Sequence, residues 1–226
     1  MLKPYRKISK KELKEDKFVT YTIKAKEYVE NNSKTLLWAG VFIVLAVVAI
    51  TWYTHSKSQA NVSANQLLGQ AQFSFAQGKD SVGVEQIKSL INDYAGVPAA
   101  GQGCFLLAKY YWQQDDFANA KIYFKKYIDN YGHDDLLTSG AMAGYADCLI
   151  TDNDAAGAAS YYEKAANVNK NLPLAPSYLY SAALAYHDAG DLDQARKVAD
   201  QIIKNYDKSD YKQKAELLLE MIKLKT

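Results

Sequence analysis

The side chains able to do covalent or metal chemistry are few and scattered. His55, His133 and His187 stand alone, with no H-E-x-x-H or C-x-x-C spacing around them. Acidic residues do come close together, at Asp115-Asp116, Asp134-Asp135 and Asp152/Asp154. Each group falls in a predicted inter-helix turn, where carboxylates commonly cap helices or face solvent. No glycine-rich phosphate loop follows a strand, and no G-x-S-x-G occurs. The sequence therefore offers no catalytic residue, no cofactor-binding motif and no metal-ligand set; an enzyme, a cofactor and a small-molecule substrate are not expected. Two cysteines, Cys104 and Cys148, make no disulfide framework. They are either two small buried residues or a single bridge between neighbouring helices in an oxidising compartment.

What remains is the chemistry of membranes and of recognition. Leu36–Thr54, LLWAGVFIVLAVVAITWYT, carries no charge and no proline. As a helix it is roughly 28 Å long, close to the hydrocarbon thickness of a bilayer. Leu36 and Val44 belong to its apolar body, and Trp38, Trp52 and Tyr53 lie near its ends, where amphipathic rings favour the headgroup level. The reading is a transmembrane helix over 36–54, a signal anchor. A cleaved signal peptide is disfavoured by the length of the preceding segment and of the apolar run, although Ser58-Gln59-Ala60 loosely resembles a cleavage site.

Residues 1–35 hold ten Lys/Arg against five acids, leaving 17 basic and 20 acidic residues for the rest of the chain. The slightly acidic remainder is a poor nucleic-acid binder, which needs a basic footprint. The asymmetry bears on orientation instead: the basic tail is expected in the cytoplasm and the C-terminal domain in the periplasm of a bacterial inner membrane. Ser9-Lys10-Lys11-Glu12 has capping-box form and predicts a helix from about Lys10 to Glu30. Phe18, Tyr21, Ala25 and Tyr28/Val29 form its apolar stripe; Lys10, Lys11, Lys14, Lys17 and Lys24 make the rest basic. These lysines either fix topology, rest on anionic lipid, or dock on a membrane partner. Asn31-Asn32-Ser33 breaks the pattern, and the small polar residues of 55–63 read as a linker.

Beyond the linker, over 64–226, the chain repeats. Ala71, Ala108, Ala146 and Ala183 are spaced 37, 38 and 37 residues apart. Three residues on from each stand Ser74, Tyr111, Leu149 and Tyr186; twelve on, Gly83, Ala120, Ala158 and Ala195; four further, Ile87, Phe124, Tyr162 and Ala199. This register resembles the tetratricopeptide repeat. It is clearest in LLAKYYWQQDDFANAKIYFKKYIDNY and in AALAYHDAGDLDQARKVADQIIKNY, and weakest in the first repeat, where Gln70 and Ser74 replace apolar residues and Lys79-Asp80-Ser81 makes a poor turn. The resemblance implies an all-α helical solenoid of about four helix pairs, with a period longer than the common 34. A last helix, Tyr211–Lys223, is expected to cap the array with Leu217, Leu218, Met221 and Ile222 facing it. Most of the tyrosines beyond the span fall at repeat positions, where packing accounts for them.

Groove positions of the family, carried across by register, give Phe75 in the first repeat and Phe105, Lys109 and Trp112 in the second. They give Asp147 in the third, and Tyr180 and His187 in the fourth. Aromatic anchors of this kind dominate binding energy when a partner covers them, and Trp112 is the strongest candidate. Anchor plus repeats resembles the YfgM-type family of inner-membrane proteins, ancillary to the Sec translocon. The resemblance implies a tethered protein-binding module, a chaperone-like helper whose partners are the translocon or exported polypeptides. The alternative is a structural scaffold of an envelope complex, in outer-membrane assembly or cell division.

Overall fold

The structure, a computed structural model, describes residues 10–224, with side chains described from residue 18 onward. Helices follow one another with short turns between them: α1 Lys10–Asn31, α2 Ser33–Ala76, α3 Asp80–Asp93, α4 Pro98–Gln113 and α5 Phe117–Tyr131. After these come α6 Asp135–Thr151, α7 Ala155–Val168, α8 Ala175–Asp188, α9 Leu192–Asn205 and α10 Tyr211–Leu224. Two units result, Met1–Ser58 and Gln59–Thr226.

In the first unit, α1 and α2 are separated by the single non-helical residue Asn32. Its backbone N–H and its side-chain Nδ2 both donate to the Tyr28 carbonyl, at 3.0 Å each. An asparagine side chain that competes for a helix carbonyl is a natural interruption. Ser9 of the capping box lies outside the described residues, and of Lys10, Lys11, Lys14 and Lys17 only the backbone is described, within α1. Lys24, Phe18, Tyr21, Tyr28 and Val29 are exposed. So is the apolar stretch 36–54, where Trp38 and Trp52 are 71% and 72% exposed. Its threonine hydroxyls are satisfied within the helix: Thr51 Oγ1 donates to the Val47 and Val48 carbonyls, and Thr54 Oγ1 to that of Thr51. Residues 55–63, expected as a linker, are helical. HSKSQANVS contains neither proline nor glycine, so nothing in it stops a helix. The division between the units falls inside it.

The second unit is a row of antiparallel helix pairs: the end of α2 with α3, α4 with α5, α6 with α7, and α8 with α9, followed by α10. Ala71, Ala108, Ala146 and Ala183 are all fully buried, as are Ala120, Ala158 and Ala195. Small residues on both partners let the helix backbones approach, and the larger Ile87, Phe124 and Tyr162 fill the space to the next pair.

The turn inside each pair repeats as faithfully as the core. Gly78, Asp115, Asn153 and Gly190 have positive φ, between 58° and 81°, at the same spacing as the alanines. The next residue's N–H then reaches back to the carbonyl of Ser74, Tyr111, Leu149 or Tyr186, at 2.9 Å in every repeat. This is the Schellman closure, in which a left-handed residue lets the chain satisfy a helix-end carbonyl. That same next residue starts the second helix. Asp116, Asp154 and Asp191 cap it by accepting from the N–H of Asn119, Gly157 and Gln194. In the first repeat the position is Lys79, which makes no side-chain cap. Ser74, the other oddity of that repeat, is buried and donates to Gln86 Oε1 at 2.8 Å. A polar side chain is tolerated there because its partner sits on the facing helix.

The last helix differs from expectation. Ala215, Leu218 and Ile222 are buried, whereas Leu217 and Met221, expected to face the array, are 61% and 51% exposed. Each exposed residue is one step, about 100° of rotation, from a buried one. Only one narrow stripe of α10 has a helix to pack against.

Candidate protein-binding groove

Phe105, Lys109 and Trp112 lie four and three residues apart on α4, so they share one face of that helix. Opposite them α6 presents Gly140, Ala143, Gly144 and Asp147, again a single face and almost devoid of side chains. With Phe124 from α5 and Tyr178 from α8, these residues line an open cavity of about 280 Å³. That is below the roughly 300–1,000 Å³ of drug-sized ligand sites and suits a single inserted side chain.

The glycines explain how the two phenylalanine rings fit against α6. A Cβ on Gly144 would stand 2.6 Å from Phe124 Cε2, and one on Gly140 would stand 3.3 Å from Phe105 Cζ. Their absence admits both rings. Phe105 then packs edge-on against Phe124 and Tyr127, with centroids 6.0 Å apart in each case. Phe124 and Tyr127 are buried and Phe105 is half-buried, so the aromatic wall is fixed from behind. Trp112, 42% exposed, projects at the rim with Lys109, which is also exposed.

Asp147 is half-buried in this surrounding. The Tyr162 hydroxyl, from α7, donates to its Oδ1. Burial raises the Asp147 carboxyl above its ordinary value, and the Tyr162 bond offsets only part of that. Burial, with the carboxylate beside it, pushes the Tyr162 hydroxyl strongly upward. Tyr178 is raised by burial and, to a lesser degree, by the Asp147 charge.

The other groove candidates lie elsewhere. Phe75 packs on Tyr110, with centroids 5.1 Å apart, and a Cβ on Gly83 would meet its ring at 3.0 Å. It joins α2, α3 and α4. Tyr180 lies against Tyr211 of α10 at 5.8 Å, with the Lys214 ammonium 5.9 Å from its centroid. The His187 side chain is only 13% exposed, and its Nδ1 is 3.1 Å from Asp188 Oδ1. Cys104 and Cys148 are buried free thiols, each pushed up to about 11 by burial. Such thiols are poor nucleophiles. Among the described residues no group of three or more His, Cys, Asp or Glu side chains is placed to hold a metal ion.

Sequence reasoning passed over Gly140, Ala143 and Gly144 because they carry no group that binds. The register did point there: Gly140 and Ala143 are the third-repeat counterparts of Gln102 and Phe105, 38 residues on. Tyr178 was also missed. It stands where the two preceding repeats have Gly103 and Ala141, and that contrast is the signal that could have found it.

A search of curated proteins finds no match. A model of the tetratricopeptide repeat-like domain matches residues 26–167, and one of the tetratricopeptide repeat matches 151–210. Among solved structures, a tetratricopeptide repeat protein from Parabacteroides merdae is similar with a TM-score of 0.57 at 17% identity. The match covers 71% of this chain and 60% of that one. Nearly identical TPR-like repeats from Podosopora anserina are similar with a TM-score of 0.51 at 12% identity, over 73% of this chain and 95% of theirs. At these identities the likeness is one of fold: helix pairs stacked as a solenoid. With a family model matching more than half of its length, the chain belongs to the tetratricopeptide repeat-like domain family.

Proposed function

We propose that this chain is a membrane-tethered protein-binding module that engages polypeptide through the cavity between α4, α6 and α8. Tetratricopeptide repeats are protein–protein interaction modules, and the observation that carries the reading here is the cavity itself. An aromatic wall is held rigid by buried rings, a tryptophan is left exposed at its rim, and glycines on the opposing helix face let the rings pack closely against it. Rigid aromatic anchors around a desolvated hollow are where binding energy concentrates. Tethering is supported by the apolar stretch 36–54, a helix long and apolar enough to cross a membrane and uncovered by protein. The basic excess before it favours a cytoplasmic N-terminus and a periplasmic repeat domain. A tether raises the local concentration of the groove at the membrane, so weak contacts suffice. Within that frame the resemblance to the YfgM-type family supports a translocon-associated, chaperone-like helper for exported proteins.

The test is photocrosslinking in intact bacterial membranes from a probe at Trp112. Crosslinks to the translocon or to many nascent exported chains support the helper; a single fixed envelope partner supports a scaffold instead. Double replacement Phe105→Ala and Trp112→Ala should abolish the crosslinked species seen from a second probe at Lys109. Unchanged crosslinking would remove the groove from the function. Protease protection of the repeat domain in spheroplasts would overturn the topology.

A further inference from the structure

We infer that the cavity selects a two-residue signature in an extended polypeptide: a large apolar side chain seated between Phe105, Trp112 and Tyr178, next to a basic side chain paired with Asp147. This rests on the groove reading above and specifies its ligand.

The apolar half follows from the walls. Phe105, Phe124, Trp112 and Tyr178 supply ring surface around a cavity of about 280 Å³, room for one large side chain. The basic half follows from Asp147, the one carboxylate among the lining residues. Tyr162, on a helix that does not line the cavity, donates to Oδ1, and the ligand's cation is assigned to Oδ2. A half-buried carboxylate held by one neutral donor is short of compensating charge, and its raised proton affinity is the expected sign. A cation delivered by the ligand corrects this better than a further neutral donor.

The basic residues nearby do not already fill that role. Lys109 lines the cavity from the α4 side, and among the ion pairs of the described residues none joins it to Asp147. Lys121 of α5 is engaged by Asp152. The two charges of the cavity therefore sit on opposite walls, Lys109 on α4 and Asp147 on α6. A bound basic side chain is directed to the α6 wall, and an acidic one in its place would meet Asp147.

The test uses the full-length chain in detergent micelles and fluorescein-labelled, end-blocked octapeptides, read by anisotropy. The probes are Gly-Ser-Gly-Phe-Lys-Gly-Ser-Gly and the same peptide with Phe-Glu, Phe-Gln or Ala-Lys at its centre. The expected order is Phe-Lys, Phe-Gln, Phe-Glu, with about tenfold between the first and the last, and no measurable binding of Ala-Lys. Asp147→Asn, which keeps an oxygen for Tyr162, should reduce the Phe-Lys to Phe-Glu ratio to below about threefold while Phe-Gln binding persists. Equal or reversed preference on the wild-type chain, with binding still lost on Trp112→Ala, overturns the basic half and leaves the groove reading standing. Peptide binding untouched by Trp112→Ala, or no binding of any peptide at about 1 mM, overturns the groove reading and this inference together. The wild-type comparison needs no variant, so a misfolded substitution cannot decide the outcome.

Discussion

Tyr162 on α7 donates its hydroxyl to Asp147 Oδ1 on α6, so the one carboxylate in the cavity wall is positioned by a helix that does not line the cavity. Removing the hydroxyl by Tyr162→Phe should cost about 1–3 kcal/mol, because a half-buried carboxylate then loses its donor. The Asp147 carboxyl should also move further up, since the bond it loses favours the charged form. Urea denaturation and a carbon-detected NMR titration of Asp147 check both.

The same residue sets a pH dependence. Burial raises the folded-state proton affinity of Asp147 above the ordinary carboxyl value of 3.8. The folded chain then binds this proton more tightly than the unfolded chain does. The contribution of Asp147 to stability is therefore fully present below 3.8 and is lost as pH rises through the elevated value. Asp147→Asn should flatten the fall in urea midpoint between mildly acidic and neutral pH. A variant with the wild-type slope would show that other groups cause it.

Gly144→Ala should be costly although alanine is the better helix former. The new Cβ would stand 2.6 Å from Phe124 Cε2, and Phe124 is buried. Overpacking of this kind costs about 1–3 kcal/mol. Gly140→Ala meets Phe105 only at 3.3 Å and should be milder. Thermal unfolding of the two variants, compared with wild type, tests the order.

The turn register gives a stabilising substitution. Lys79 has the backbone position that Asp116, Asp154 and Asp191 occupy in the other repeats, with φ −90° and ψ 58° against −84° and 68° for Asp116. Lys79→Asp should supply the missing cap and stabilise by about 0.5–2 kcal/mol, while Asp116→Ala should lose a similar amount. Hydrogen exchange across α3 and α5 would localise both effects.

Val44 lies near the middle of the apolar stretch and is 61% exposed. If that stretch sits in a bilayer, Val44→Asp costs about 2.5–3.5 kcal/mol of insertion. The variant should shift from the carbonate-resistant membrane fraction towards the soluble one. Full retention in the carbonate-resistant fraction would count against 36–54 as the anchor.

The repeat architecture was legible in the chain because its requirements are local and periodic. Close helix crossings need small residues at fixed spacing, so Ala71, Ala108, Ala146 and Ala183 announce the pairs before any contact is known. The acidic pairs were legible for the same reason: an N-cap acts within three residues of itself, as Asp116 and Asp154 do. The apolar stretch 36–54 needed only its length and composition. Other features depend on what arrives from far along the chain. Trp112 and Asp147 line one cavity only because α4 and α6 stack, and Phe124 reaches its wall only because Gly144, of a different repeat, leaves room for the ring. Phe75 and Tyr180 occupy the register positions of Trp112 and Phe105 respectively, yet each is taken up by a neighbour, Tyr110 in one case and Tyr211 in the other. Leu217 and Met221 look like core from their type, but α10 has neighbours on only one side. Spacing along one helix determines which residues share a face; only the packing of helices distant in sequence decides whether that face is filled, covered or left open.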